Sequence, residues 1–268
     1  MTSFSTLAKL ISILCLVLLV SGCRYWSLYR FADQFCDYDA HIEVILNQHS
    51  TQIVFSDPVL PASVFDRYFK AEPHQTSETD ARIIHHYQLA SQYDTLQRHY
   101  ALQVDYSRHS RQPLLAEASI DPALSAVFQP AFVEKILRSS CTDDIDLSLS
   151  EAMVRFVLLP IEESTMPTLQ QMTKLFGPGL PSANTQIQQR DYHLDFETKP
   201  GPHSNSKMTT QNKPIFLRFT FSEQGTVTAI TVDYLNYAMQ LDFLAGTGYL
   251  HVIRGESIKG EIGKGGSQ

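Results

Sequence analysis

Alternation of apolar and polar positions predicts short antiparallel strands along much of this chain. Four stretches alternate at period two, which is typical of strands that bury one face and solvate the other. They are HHYQLAS (85–91), HYALQVDY (99–106), RDYHLDFET (190–198) and IFLRFTF (215–221). A turn at Glu223-Gln224-Gly225 leads into another predicted strand, and segments 42–55 and 145–158 each have the pattern of a hairpin.

Two short helices are predicted ahead of these strands. Apolar residues at helical spacing form one face over Ala62–Glu72 and again over Pro167–Phe176. Pro167 suits a first helical turn, where its missing N–H would have no partner in any case. Gly177-Pro178 then ends the second helix, because glycine adopts the left-handed cap and proline blocks continuation. Further helical patterns end near Cys36 and Cys141.

The order of these elements occurs twice, which predicts an internal repeat. An offset that sets Cys36 against Cys141 also matches other positions in the two halves. These are Pro73 with Pro178, Tyr87 with Tyr192 and Leu89 with Leu194. A pseudo-twofold axis between the halves would bring the two cysteines together.

We therefore predict an α+β fold of two related lobes, residues 23–128 and 129–254. Each lobe is expected to contain a helix, a β-hairpin, a second helix and a three-stranded antiparallel meander. The polar segment Lys199–Lys213 is predicted to be a long loop that is either disordered or used for binding. The tail 255–268 is rich in glycine and charge and is predicted to be flexible.

The first residues predict export from the cell. An apolar run of 11 residues, Leu10–Val20, follows Lys9 and is too short to span a bilayer. It fits a signal peptide over residues 1–22. Val20-Ser21-Gly22-Cys23 resembles the bacterial lipobox, in which the cysteine is acylated and becomes the first mature residue. An ordinary signal peptide, cut elsewhere, is the alternative.

The residue after Cys23 bears on the membrane to which the anchor belongs. It is Arg24, whereas an aspartate there resembles the inner-membrane retention signal of enterobacterial lipoproteins. The resemblance therefore favours the outer membrane, and several acyl chains on Cys23 would form a stable anchor.

Net charge and cysteine content exclude some classes of binding partner and indicate the compartment in which the protein is located. Removal of residues 1–22 takes only Lys9 among the charged residues and leaves 246 residues with a formal charge of −8. This balance argues against nucleic-acid binding and against charge-driven docking on an anionic leaflet. Of the four cysteines, Cys15 leaves with the signal peptide and Cys23 takes the lipid. The remaining pair, Cys36 and Cys141, is expected to form a disulfide, with two buried thiols as the alternative.

The sequence contains no motif that predicts catalysis or a cofactor. It has neither the G-x-S-x-G elbow of serine hydrolases nor the spacing of a P-loop. The best metal candidates are His86 and His99, which are predicted to approach each other across a hairpin together with Asp105. The alternative is that they are solvent-facing strand residues, and we predict no metal, no cofactor and no catalytic residues.

Residues Met166–Tyr234 resemble the small BamE (SmpA/OmlA) lipoproteins of the outer-membrane protein assembly machine. The resemblance is carried by a short helix that ends in KLFGPGLP, by alternating strands, and by FTFSEQGTVTAITVDY. It covers about a quarter of the chain. It implies a lipid-anchored protein that uses a helix and three strands to contact partner proteins.

The sequence thus predicts a lipid-anchored protein on the periplasmic face of a bacterial outer membrane. We expect it to bind or scaffold other envelope proteins without catalysis, through open sheet edges or a cleft between the lobes. One alternative is a binder of a small or lipidic ligand between the lobes. A metal-dependent enzyme that uses the histidine-rich strands is the other.

Overall fold

A computed structural model describes most of the chain and shows one large sheet with short helices. The described residues are 27–47, 50–108, 110–141, 145–147, 151–182, 188–197 and 214–253. Helix α1 covers residues 27–34. The other helices are α2 (Tyr38–His41), α3 (Ala62–Phe69), α4 (Pro122–Ser125), α5 (Pro130–Ser139) and α6 (Leu169–Phe176), with a 3-10 turn at Glu163–Thr165.

Fourteen strands are present in the described residues. In the first half they are β1 (Ile42–Asn47), β2 (Ser50–Phe55), β3 (Gln75–Glu78), β4 (Arg82–Ser91), β5 (His99–Ser107) and β6 (Leu114–Ile120). In the second half they are β7 (Ile145–Leu147), β8 (Glu151–Val157), β9 (Leu180–Pro181), β10 (Gln188–Glu197), β11 (Ile215–Phe221), β12 (Val227–Tyr234), β13 (Tyr237–Asp242) and β14 (Thr247–Ile253).

The strands form a single antiparallel sheet in the order β1-β2-β6-β5-β4-β10-β11-β12-β13-β14-β8-β7, with β3 beside β4 and β9 beside β10. The predicted fold class, an α+β protein of two lobes, is therefore wrong. The reason is that β4 and β10 pair with each other from Gln88–Glu197 to Ser91–Leu194. This pairing merges the sheets of the two halves.

A second difference is the hairpin β13–β14, which sequence patterning did not predict. It is inserted between β12 and β8, so that β12 does not meet β8 as β6 meets β2 in the first half. The predicted loop Lys199–Lys213 and the predicted tail 255–268 lie outside the described residues.

Most individual elements lie where the patterns predicted them. The predicted strand IFLRFTF coincides with β11, and the predicted hairpin 42–55 coincides with β1 and β2. Helix α6 begins at Leu169 rather than at Pro167, because Thr168 caps it. The Thr168 hydroxyl accepts the Gln171 N–H at 3.3 Å, and the Gln171 side chain accepts the Thr168 N–H at 2.8 Å, which is a capping box.

The core lies between the helices and one face of the sheet, and it is rich in aromatic rings. Phe69 of α3 contacts Tyr87 and Phe196, with ring centroids 5.1 and 5.3 Å apart. Phe176 of α6 contacts Tyr100 and Tyr192, each at 5.6 Å. Each helix thus packs on aromatic side chains from both halves, so the two halves share one core.

Tyrosine hydroxyls tie the helix ends across the halves. The Tyr234 hydroxyl donates to the Phe69 carbonyl at 2.6 Å, at the end of α3. The Tyr100 hydroxyl donates to the Leu175 carbonyl, at the end of α6. The last carbonyls of a helix have no partner within the helix, so each tyrosine satisfies a group that would otherwise be buried without a hydrogen bond.

The starts of α3 and α6 make the same backbone contacts in the two halves. Leu115 donates to the Leu60 carbonyl at 2.8 Å, and Val227 donates to the Pro167 carbonyl at 2.9 Å. Isolated bridges join Pro61 to Leu114 and Thr168 to Thr226 at the same two places. These correspondences agree with the predicted repeat, which as a statement about ancestry stays a prediction.

The predicted disulfide is present between Cys36 and Cys141. The two Cα atoms are 4.6 Å apart, and the cysteines are separated by 105 positions. Ala90 and Asp195 face each other in the β4–β10 pair with the same separation of 105 positions. The disulfide and the centre of the sheet thus join equivalent points of the two halves. The disulfide links the segment that precedes β1 to the segment that precedes β7, and these two strands lie at the two ends of the sheet.

The turn after β4 lies directly on the end of α6. The Ser91 hydroxyl donates to the Phe176 carbonyl at 2.6 Å. Gly177 follows with φ +88°, and a Cβ atom at this position would lie 2.0 Å from the Tyr93 carbonyl oxygen. Only glycine fits both the backbone conformation and the space at this contact between the halves.

Reduction of the disulfide is expected to raise the intact mass by about two units, one hydrogen for each sulfur. Replacement of Cys36 and Cys141 together by serine is expected to lower the free energy of unfolding by about 4 kcal/mol, because the bond closes a long loop. Mass spectrometry and urea unfolding measure the two effects. An unchanged mass on reduction would mean that the thiols are free.

Gly177→Ala is expected to destabilise the protein more than Gly246→Ala. Both glycines have positive φ, and so both variants incur a backbone cost of about 1 kcal/mol. Nothing lies within 4 Å of a Cβ at Gly246, whereas Gly177→Ala must also move the Tyr93 backbone, at a further cost of about 1–3 kcal/mol. Urea unfolding of the two variants compares these costs directly, and equal losses would contradict the close contact.

Candidate functional site

The first candidate surface is the face of the sheet opposite the aromatic core, which we call the outer face. Side chains alternate between the two faces of a strand, so the neighbours of the core residues Tyr87, Leu89, Tyr192 and Leu194 lie on the outer face. Its central part, around the β4–β10 pair, carries Gln88, Ala90, His99, Asp191, His193, Asp195, Glu197, Phe216 and Arg218.

An aromatic strip formed by Tyr93, His193 and Phe216 crosses the centre of the outer face. The rings of His193 and Phe216 are 4.5 Å apart, on directly paired residues of β10 and β11. The Tyr93 ring lies 5.5 Å from that of His193. All three side chains are half-buried, and burial raises the pKa of the Tyr93 hydroxyl above its ordinary value. Aromatic residues of this kind are enriched at the centres of protein interfaces.

Two side-chain pairs hold the residues beside the strip in place. Arg218 donates to both carboxylate oxygens of Asp191, at 2.9 and 3.0 Å, and these bonds raise the pKa of the guanidinium. His99 lies 2.9 Å from Glu197, across β4. A bidentate arginine–carboxylate pair has a fixed geometry, so the surface around the strip is preorganised.

Burial also affects one carboxylate of this face. Asp233 is opposite Phe216 in the β11–β12 pair, and burial raises its pKa. Arg218 is close enough to offset part of that rise. Arg218 therefore stabilises the outer face in two ways, because it pairs with Asp191 and also lowers the cost of burying the Asp233 carboxylate.

The predicted metal candidates do not come together. In the β4–β5 hairpin His86 pairs with Gln103 and His99 pairs with Ala90, so the two imidazoles stand four positions apart along the strands. Asp105 is buried and accepts hydrogen bonds from Arg82 at 3.3 Å and from Gln103 at 2.8 Å. Within the part of the chain that the structure describes, no group of three or more histidine, cysteine or acidic side chains has the geometry of a metal site.

The second candidate surface surrounds the disulfide, and we call it the disulfide face. On one side of the bond is a cavity of about 270 Å³, which we call the acidic recess. Its lining includes Arg30, Asp33, Gln34, Cys36, Asp37, His41 and Asp57. On the other side is a cavity of about 790 Å³, the basic groove. Its lining includes Arg138, Ser139, Cys141, Met153, Arg155, Val157, Leu159, Tyr249 and His251.

The recess and the groove share three matched positions: Asp33, Gln34 and Cys36 line the recess, and Arg138, Ser139 and Cys141 line the groove. Most of the remaining groove lining comes from β8 and β14 and has no counterpart in the recess. Each is lined by one partner of the disulfide. In the recess, the Gln34 amide donates to the Asp57 carbonyl at 2.6 Å. In the groove, the Leu159 N–H donates to the Ser139 hydroxyl at 2.9 Å. Both bonds join the chain just before a half-cystine to the chain just after the hairpin of the same half.

Apolar side chains are exposed beside the basic groove. Val157 at the end of β8 is 75 % exposed, and Tyr249 on β14 is 37 % exposed. Gly248 precedes Tyr249 on β14 and is paired with Phe156, and its missing side chain leaves room for the Phe156 ring, which a Cβ atom would approach to 2.3 Å. Exposed apolar side chains that rim a groove are typical of contact sites for another molecule.

Sequence reasoning identified some of these residues and overlooked others. Cys36 and Cys141 are paired as predicted, whereas Cys23 lies outside the described residues. Among the described residues the sheet is continuous across both halves, so the predicted cleft between two separate lobes is not formed there. The aromatic strip was not predicted, because the alternation in IFLRFTF alone does not say which face of the strand carries Phe216. Its position one residue out of phase with Leu217 and Phe219 is the signal that places it on the other face.

Two further observations concern relatives and the membrane. Within the described ranges, no helix has both the length and the apolar character that crossing a bilayer requires. No protein-family model matches this chain, and neither a curated protein nor a solved structure matches it.

Proposed function

We propose that this chain is a lipid-anchored protein of the bacterial envelope that binds other envelope proteins and does not catalyse a reaction. The observation that carries the proposal is the outer face. It is continuous over both halves, it is backed by the aromatic core, and it presents an aromatic strip beside the fixed pair of Arg218 and Asp191.

The disulfide supports the exported location. Both half-cystines are exposed, so reductants of a bacterial cytosol would reach the bond. A bond in that position persists in an oxidising compartment such as the periplasm. With Cys36 and Cys141 paired, Cys23 is the cysteine of the mature chain that is left for acylation. The proposed anchor would hold the protein at the periplasmic face of the outer membrane.

The shape of the outer face supports protein partners over small ligands. The rings of Phe69, Tyr87, Phe196 and Tyr234 fill the space between α3 and the sheet, which is where a lipidic ligand between helix and sheet would have to lie. A broad sheet surface buries area against another broad surface. Half-buried aromatic side chains at its centre supply the anchors that dominate such contacts.

Cys23→Ser is expected to leave the protein in the soluble fraction or unprocessed, because no thiol is then present to receive the lipid. Fractionation of cells and intact mass of the mature protein measure this. Cys15→Ser is the matched control and is expected to change nothing, since that residue leaves with the signal peptide. Unchanged membrane retention of Cys23→Ser would contradict the anchor.

Phe216→Ala is expected to lower the capture of partner proteins by about tenfold or more, because truncation of a central aromatic anchor costs about 2 kcal/mol of binding energy. Crosslinking in intact cells, purification of the tagged full-length protein and quantitative mass spectrometry measure the recovery of each partner. Leu244→Ala is the matched control, since Leu244 is 83 % exposed on the β13–β14 turn, away from the strip. Equal recovery with both variants would contradict docking on the outer face.

A further inference from the structure

The central part of the outer face carries an excess of negative charge. Its carboxylates are those of Asp191, Asp195 and Glu197, with Asp233 beside them on β12, and its guanidinium is that of Arg218. The whole chain has 28 acidic residues against 21 lysines and arginines. Four carboxylates to one guanidinium on this surface exceed the ratio that composition alone gives. A partner that docks here therefore meets a negative potential.

Two of these carboxylates are matched within the chain. Arg218 donates to both oxygens of Asp191, at 2.9 and 3.0 Å. His99 lies 2.9 Å from Glu197. Arg218 is thus committed to Asp191, and it acts on other carboxylates only at a longer distance.

Asp195 and Asp233 have no such match. Asp195 accepts a hydrogen bond from the neutral side-chain amide of Gln92 at 2.8 Å. Burial raises the pKa of Asp233, and the charge of Arg218 opposes part of that rise. In the part of the chain that the structure describes, neither carboxylate forms an ion pair with a lysine or an arginine. Both charges are therefore stabilised by a cation that arrives with a partner.

The two unmatched carboxylates flank the aromatic strip. His193, Phe216 and Asp233 are directly opposed residues of β10, β11 and β12, so they form one row across the outer face. Asp195 is the next residue after His193 on the same face of β10, which makes it a diagonal neighbour of Phe216. Opposed Cβ atoms lie about 5 Å apart and diagonal ones about 7–8 Å apart. A group that rests on the Phe216 ring is therefore within reach of both carboxylates.

We infer that the partner of the outer face is a basic protein segment, which places an arginine or lysine side chain on the aromatic strip between Asp195 and Asp233. The inference rests on the proposed function, because it assigns the chemistry of the partner at the same surface. An aromatic ring attracts a cation to its negative face. A guanidinium also has five N–H donors in a fixed plane, so it can donate to a carboxylate on either side while it covers the ring.

A neutral or acidic partner fits this surface less well. It would remove Asp195 and Asp233 from water without supplying a charge in exchange, and a buried carboxylate without a partner is costly. An acidic partner adds repulsion between like charges. The surface thus selects a basic partner through the cost of the wrong contact as well as through the gain from the right one.

The test is the binding of defined peptides to the mature full-length protein in a neutral detergent. The probe is a fluorescent peptide of glycine and serine that carries three arginines, and the matched peptide has citrulline at the same three places. Citrulline has the shape of arginine without its charge. The arginine peptide is expected to bind about tenfold more tightly, as measured by fluorescence anisotropy. Its binding is expected to weaken severalfold between about 0.05 and 0.5 M salt, because exposed charges are screened.

Isosteric variants locate this binding. Asp195→Asn with Asp233→Asn removes both charges, keeps an oxygen to accept the Gln92 amide, and is expected to bind the arginine peptide about tenfold less tightly. Phe216→Leu keeps an apolar side chain without a ring and is expected to bind it about two- to fivefold less tightly. Asp80→Asn is the matched control and is expected to bind unchanged, since Asp80 is exposed in the β3–β4 turn, at the other end of β4 from the strip. Urea unfolding checks that each variant folds.

Equal binding of the arginine and citrulline peptides would overturn the inference. A loss with Asp80→Asn as large as that with Asp195→Asn and Asp233→Asn together would also overturn it, because the attraction would then come from net charge alone. Crosslinking in cells separates the inference from the proposed function. If Phe216→Ala lowers partner capture and the double asparagine variant does not, the outer face docks a partner that is not basic. If neither variant lowers capture, docking on the outer face itself fails.

Discussion

The antiparallel pairing of β4 with β10 is the contact on which the rest of this structure depends. It joins the edge strand of the first half-sheet to the edge strand of the second, with paired residues from Gln88–Glu197 to Ser91–Leu194. Backbone groups at a sheet edge need partners, and here each half supplies the partner of the other. The same pairing brings Phe196 into contact with Phe69 and Tyr100 into contact with Phe176. It therefore also determines which side chains of the two halves meet in the core.

This shared core has a consequence for function. Tyr234 and Tyr100 satisfy the helix ends of the opposite half, and Gly177 leaves space for the Tyr93 backbone that any Cβ atom would occupy. The outer face is therefore backed by contacts that cross the middle of the molecule. A surface supported in this way loses little conformational entropy when a partner binds, which is the condition under which a modest aromatic strip can dominate affinity.

The local elements could be read from the sequence because each depends on neighbouring residues. Period-two alternation located β4, β5, β10 and β11, and the count of cysteines left after Cys15 and Cys23 are assigned located the disulfide. The choice of strand partner could not be read in the same way. Alternation states that a strand has one buried face, and it is the same whether the strand lies at an edge or in the middle of a sheet. One sheet and two sheets were therefore equally compatible with the pattern.

The outer face and the disulfide face could not be predicted from the sequence for a related reason. Which residues share each surface depends on how the strands and the cysteines pair. Phe216 is recognised as a half-buried aromatic of the outer face once its register with His193 is known, and the residues around the disulfide are brought together by the pairing of Cys36 with Cys141. The inner face differs little between the halves, since Tyr87 and Tyr192 fill the same place.

Polar positions diverge instead. Asp66 accepts a hydrogen bond from Tyr106 at 3.0 Å and lies 3.8 Å from His85 in the first half, where the second half has Thr173 and Arg190. Packing restricts the core residues of both halves to large rings, because any change of volume there creates a cavity or a clash. Surface residues carry no such constraint. The two halves therefore have similar core residues and different surface residues, and the surface differences can contribute to binding without disturbing the packing of the core.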